Sequence, residues 1–131
     1  MNIGEVARHT GVPAKTIRYY EDIGLLPRAT RAANGYRHYR DSDLRTLQFI
    51  QRARGLGFPI KDVANLLALW SRDDRASADV KALALKHIEA INGRIDELRS
   101  MRDTLVHLTE RCHGDDRPDC PILADLAGQK G

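Results

Sequence analysis

Apolar side chains fall at helical spacing almost from the first residue. Ile3, Val6 and Ala7 share one face of a short helix over 3–9. Thr10-Gly11-Val12-Pro13 interrupts it, because glycine accepts left-handed backbone and proline suits the first turn of a new helix. The pattern predicts a second helix over 14–22 anchored by Ile17, with Gly24 placed to cap its C-terminal end. Two short helices joined by a tight glycine turn make a helix-turn-helix. Further on, Asn34-Gly35 is a strong signal for a type I′ hairpin turn, and the β-prone run Tyr36-Arg37-His38-Tyr39 behind it reads as a small β wing.

A third helix begins at Asp41-Ser42-Asp43, carries Leu44, Leu47, Ile50 and Ala53 on one face, and ends at Gly55-Leu56-Gly57. Pro59 opens a fourth over 60–70, with Val63, Ala64, Leu66, Leu67 and Trp70 apolar, and 71–76 is a polar connector. Ser77 then reads as an N-cap with Asp79 in the first turn. From there to about Arg111 there is no proline, and Gly93 is the only glycine. At ~1.5 Å per residue such a helix is roughly 50 Å long, too long to lie within so small a head. Its apolar positions are Ile88, Ile91, Ile95 and Leu98, then Met101, Leu105, Leu108 and Cys112, a 3,4,3 spacing with one extra step of 3. That is the pattern of a two-helix seam, parallel or antiparallel, and it predicts a homodimer. Residues 113–121 form a polar loop, and Ile122–Leu126 a short final helix. The expected fold is therefore mainly α: a winged helix-turn-helix head over 1–70, a connector over 71–76, a dimerisation helix over 77–111, a loop over 112–120, and a short helix and tail over 121–131.

Charge gives the head a partner. Residues 1–55 hold ten Lys/Arg against five Asp/Glu, a net +5 beside +3 for the whole chain, so the remainder carries −2. A basic head on a slightly acidic tail suits a polyanion, here double-stranded DNA. The second helix of a helix-turn-helix enters the major groove, and here it offers Lys15, Thr16, Arg18, Tyr19 and Tyr20. Lys15 and Arg18 lie three apart on one face and can meet phosphate or guanine. The tyrosine hydroxyls can donate to phosphate, although one of the two rings packs in part in the core. The wing adds Arg31, Tyr36 and Arg37, and Arg54 adds a cation near the end of the third helix. No apolar run is long enough for a membrane span, and the start Met1-Asn2-Ile3-Gly4-Glu5 has no secretion-signal pattern, so the expected compartment is the cytoplasm.

Cys112 and Cys120 are the only cysteines, and in a cytosolic chain such a pair is more often metal-binding or redox-active than a structural disulfide. Their spacing is neither that of a zinc finger nor the Cys-x-x-Cys of redox enzymes. Two thiolates facing across a seven-residue loop can hold a soft ion in low coordination, which suits Cu(I), Ag(I) or Au(I) and leaves Zn(II) short of ligands. Two buried cysteines without a ligand role and a disulfide remain as alternatives. His113 is either a third ligand or a solvated loop side chain. A thiol enzyme needs a base or positive dipole at a reactive thiolate and a substrate cleft, and only Arg111 and His113 beside Cys112 point that way, so the expectation is no enzyme activity.

The runs Ile3-Gly4-Glu5-Val6-Ala7, Thr16-Ile17-Arg18-Tyr19-Tyr20-Glu21, Gly24-Leu25-Leu26 and Asn34-Gly35-Tyr36-Arg37-His38-Tyr39 together resemble the head of the MerR family of transcription regulators. The resemblance covers essentially the whole chain, through the Leu56-Gly57-Phe58 turn and the long helix. It implies antiparallel pairing of the long helices and binding to a palindrome between the −35 and −10 elements of a promoter with an overlong spacer. It also implies activation through DNA distortion that lets RNA polymerase use both elements. The stretch from Cys112 to Ile122 resembles the metal loop of the copper-efflux-regulator branch, which implies that Cys112 and Cys120 are metal ligands. In that branch the start of the dimer helix is Ser in sensors of monovalent ions, and it is Cys in relatives that sense Zn, Hg, Pb or Cd. Ser77 stands there, so the resemblance makes it a selectivity residue, a role compatible with capping. His113 departs from the Pro of some relatives, and the tail from Gly128 lacks the Cys/His-rich ending of some copper regulators. Binding of the ion is expected to order the loop, dock Ile122–Leu126 against the dimer helix and the partner's head, and thereby respace the two heads on DNA.

Overall fold

In the computed structural model the described residues are all but 32–34, 36, 73, 75, 116, 117 and 129–131, and of Arg31 only the backbone. Among the described residues six helices and two short paired strands follow in the order α1 (Ile3–Thr10), α2 (Ala14–Asp22), β1 (Thr30–Arg31), β2 (Arg37–His38), α3 (Asp41–Gly55), α4 (Ile60–Trp70), α5 (Ser77–Arg111) and α6 (Pro121–Leu126). They divide into a unit over Met1–Leu83 and a second over Ala84–Gly131.

The first unit is built around one apolar cluster. Val6 from α1, Ile17 from α2, Leu47 and Ile50 from α3 and Val63 from α4 are fully buried, joined by Leu26 and Tyr39. Burying each of the aliphatic chains contributes roughly 1.5–3 kcal/mol. Local chemistry sets the helix ends. Asn2 Oδ1 accepts from the Glu5 amide at 2.9 Å and caps α1, while Gly11 takes φ +75° and lets the chain leave it. Thr10 Oγ1 donates to the Val6 carbonyl and accepts from the Val12 amide, which satisfies a polar side chain inside the turn. Gly24, at φ +78°, follows α2 as expected, with the Leu25 and Leu26 amides returning to the Tyr20 carbonyl. Asp43 Oδ2 accepts from the Arg40 amide at 2.9 Å and closes the start of α3.

Thr30 pairs with His38 and Arg31 with Arg37, so a two-stranded wing stands where it was expected, while the expected turn at Asn34-Gly35 includes Asn34, which lies outside the described residues. One expectation is corrected. Ser77 is the first helical residue of α5 and not the residue before it.

Within the second unit the rest of α5 runs uninterrupted through Gly93, and a face of it stays open. Ile91, Ile95, Met101 and Leu105 are 40%, 39%, 51% and 53% exposed, while Leu108 near its end is buried. A helix resting that stripe on its own unit would bury it. Instead the seam residues are left uncovered along the span where a second chain is expected. Among the described residues no helix is long and apolar enough to cross a membrane.

Candidate nucleic-acid interface and metal loop

Helix α2 sorts its residues by the 3.6-residue period. Ile17, Tyr20 and Glu21 turn into the unit, Lys15, Arg18 and Tyr19 are exposed, and Thr16 is half-buried. The open arc therefore presents two cations and a phenol, the groups that meet phosphate and base edges in a groove. Tyr20 is a correction: it is 8% exposed and belongs to the core, so only Tyr19, at 51%, is placed to reach a ligand. The two rings lie 6.0 Å apart and tilted, so Tyr20 supports Tyr19 from below.

The wing is tied to α2 by a residue that pattern reading passed over. Tyr39 Oη donates to Glu21 Oε1, and Arg37 Nη1 lies 4.0 Å from Glu21 Oε2. Glu21 and Tyr39 are both buried, at 5% and 2% exposure. Burial, and then the hydrogen bond and negative charge of Glu21, push the Tyr39 hydroxyl up to about 12, with Arg37 opposing. The clue in the sequence was positional, since Glu21 stands four residues after Ile17 and shares its inward face. Arg37 thus lies beside Glu21 with its side chain one-third exposed. Arg31 contributes a paired backbone, its side chain being outside the described residues, and Tyr36 lies outside them altogether. Arg54 is exposed, and its Nη1 donates to the Phe58 carbonyl at 2.9 Å, where it closes the turn between α3 and α4.

The cysteines sit at facing ends of a loop. Cys112 directly follows α5, its amide returning to the Thr109 carbonyl, and Cys120 is the N-cap residue of α6 with extended backbone. Both thiols are free and half-buried. The Leu123 amide pulls the Cys120 thiol below its ordinary value, with help from the Ile122 amide and Cys112, against burial and the charge of Asp119. Gly114, at φ +66°, turns the loop. A hollow of about 450 Å³ beside Cys120 is lined by Arg111, Pro118, Asp119, Leu123 and Ala124 among others. His113 is exposed, and among the described residues no three His, Cys, Asp or Glu side chains gather as a metal-holding group. The loop thus carries a sulfur at each end, a donor set whose chemistry fits a soft ion in low coordination. Ser77 is exposed at the start of α5, in the first unit. Asp116 and Arg117 of the loop lie outside the described residues.

Comparison with known proteins agrees with this layout. Residues 1–69 match the family described as MerR HTH family regulatory protein, and 44–108 the one described as MerR, DNA binding. The chain is 53% identical over 127 residues to the HTH-type transcriptional regulator HmrR of Sinorhizobium medicae, covering 97% of this chain and 86% of that one. It is 44% identical over 128 residues to the HTH-type transcriptional regulator CueR of Salmonella typhimurium, covering 98% and 93%. Among solved structures, the transcription regulator PbrR691 of Ralstonia metallidurans in complex with lead(II) superposes with a TM-score of 0.83 at 32% identity, covering 96% of this chain and 98% of that one.

Proposed function

The chain belongs to the MerR family of helix-turn-helix transcription regulators, DNA-binding proteins and not enzymes, and on that premise we propose that it activates promoters in response to Cu(I), with Ag(I) and Au(I) as alternative effectors. Like the family, it binds promoter DNA as a dimer. The observation that carries the metal reading is the pairing of Cys112 with Cys120 across one loop, with no third sulfur of that kind in the chain. Two thiolates satisfy a d¹⁰ monocation and leave a divalent ion under-coordinated. Relatives named as regulators of metal response, among them a heavy-metal-dependent regulator of Rhizobium meliloti at 52% identity, support the coarser statement that the effector is a metal.

In this reading Cys112 and Cys120 would hold the ion, which would supply a soft positive centre for two thiolates. Cys120 directly precedes α6 and Cys112 directly follows α5, so restraining both residues would restrain α6 relative to the last turns of α5. Leu123 and Leu126, 64% and 73% exposed, are the apolar contacts that α6 has to offer a partner chain. Antiparallel pairing brings the end of one α5 towards the partner's head, so fixing α6 biases the spacing of the two heads. Ser77 offers a hydroxyl where a thiol would add a third sulfur, and this favours the monovalent ion. On the DNA side Lys15, Thr16, Arg18 and Tyr19 face the groove, with Arg31, Tyr36 and Arg37 of the wing on the flanking backbone.

A second reading, a divalent sensor on the same fold, is favoured by the likeness to a regulator solved with lead(II). Competition of Cu(I) against Zn(II) for the purified dimer, with sulfur-edge spectroscopy of the product, separates the two. The expected product has one Cu(I) per chain held by two sulfurs. Displacement of Cu(I) by equimolar Zn(II), or Cu(I)-dependent transcription by a Cys112→Ser variant, refutes the proposal.

A further inference from the structure

We propose that Glu21 is a positioning residue for DNA binding: its buried carboxylate engages Tyr39 and Arg37 together and so fixes the wing at one angle to the helix that faces the groove. The inference rests on the DNA-binding reading of the head and names what sets the geometry between its two contact elements.

The placement is specific. At ~100° per residue, Lys15, Arg18 and Tyr19 occupy one arc of α2, and Ile17, Tyr20 and Glu21 the opposite one. Glu21 is thus rigidly attached to the element that bears the groove-facing side chains, and points away from DNA. Its two partners lie two residues apart, Arg37 in the wing's second strand and Tyr39 directly after it. The backbone of Tyr39 is also held, its amide donating to the Met1 carbonyl at 2.7 Å and its carbonyl accepting at 3.0 Å from the Met1 amino group.

An apolar contact could fill the same space but would leave the angle free, because hydrophobic attraction has no direction. The hydrogen bond from the Tyr39 hydroxyl to that carboxylate does have direction, and the Arg37 guanidinium, 4.0 Å away, adds a charge attraction from the same strand. The wing needs such a tie, since among the described residues β1 and β2 pair over two residues each and a lone two-stranded ribbon is marginal in water. Untied, the wing spends only part of its time where its cations meet backbone phosphate. Apparent affinity then falls by the fraction of time the head is competent.

The test uses full-length protein and the duplex that wild type selects from a random-sequence pool, read by hydroxyl-radical footprinting, binding titration and thermal melting. Wild type is expected to protect a central region and two flanks. A wild-type chain that selects no duplex overturns the DNA reading and the positioning role with it. Tyr39→Phe is expected to bind about tenfold more weakly and to lose flanking protection while central protection persists. Glu21→Gln keeps an acceptor for the Tyr39 hydroxyl and is expected to stay within about threefold of wild type with its flanks intact, whereas Glu21→Ala behaves like Tyr39→Phe. Two results overturn the positioning role while leaving DNA binding standing. In one, Tyr39→Phe and Glu21→Ala give wild-type affinity and footprint. In the other, central and flanking protection fade together in step with a lowered melting temperature.

Discussion

The buried phenol of Tyr39 gives the head an alkaline limit that can be worked out in advance. In the native head its hydroxyl ionises at about 12, against 10.0 for an ordinary tyrosine, because the ring is enclosed and its proton is held by Glu21. Between those values the unfolded chain has released the proton and the folded chain has not. The unfolded state then binds fewer protons, so stability falls as pH rises, from full effect below about 10 to complete loss above about 12. At ~1.4 kcal/mol per unit, the fall attributable to this one group between about pH 9.5 and 11.5 is roughly 2 kcal/mol. Other groups titrate in the same window, so the assay is a comparison. Urea unfolding of wild type and Tyr39→Phe is followed across that range, with difference absorbance of phenolate as a direct count. At neutral pH the variant is expected to be less stable by about 1–3 kcal/mol, since Glu21 loses a donor inside the core. With rising pH the two curves converge by roughly 2 kcal/mol, and the extra phenolate of wild type develops last. Parallel loss of stability in the two proteins, or a phenol at position 39 that ionises with the bulk of the tyrosines, refutes the account of a proton trapped between the wing and α2.

The open stripe on α5 predicts that Ile95→Lys, at a seam position 39% exposed in the single chain, weakens the dimer at least about a hundredfold by placing an unpaired charge in the interface, as read by sedimentation equilibrium. Undiminished dimerisation would show that another surface joins the chains. Lys15→Ala is expected to lower the slope of log affinity against log salt by about 0.9 for each phosphate that is no longer neutralised, hence about 1.8 for two heads. An unchanged slope with altered sequence preference assigns Lys15 to a base edge instead.

The helices were legible because each is declared by several independent signals. Helix α2 starts behind Pro13 and ends before Gly24, and its apolar anchor falls where the period requires. Helix α5 needs no tertiary context to be read, because no proline breaks it over 35 residues. What failed to show was anything decided by polar groups meeting inside. Pattern reading left Glu21 without a structural role and took Tyr39 as a wing residue, although each is nearly sealed from water. The pair Tyr19-Tyr20 poses the same problem in miniature: chemistry is identical, and only a rotation of about 100° on the helix sends one ring out and the other in. Likewise, the seven residues between the cysteines permit many separations of the sulfurs, and the turn at Gly114 and the start of α6 lie between the local pattern and the place each takes. Helix bounds follow from neighbours along the sequence; the tie of the wing to α2 follows from a partner 18 positions away, which no local period encodes.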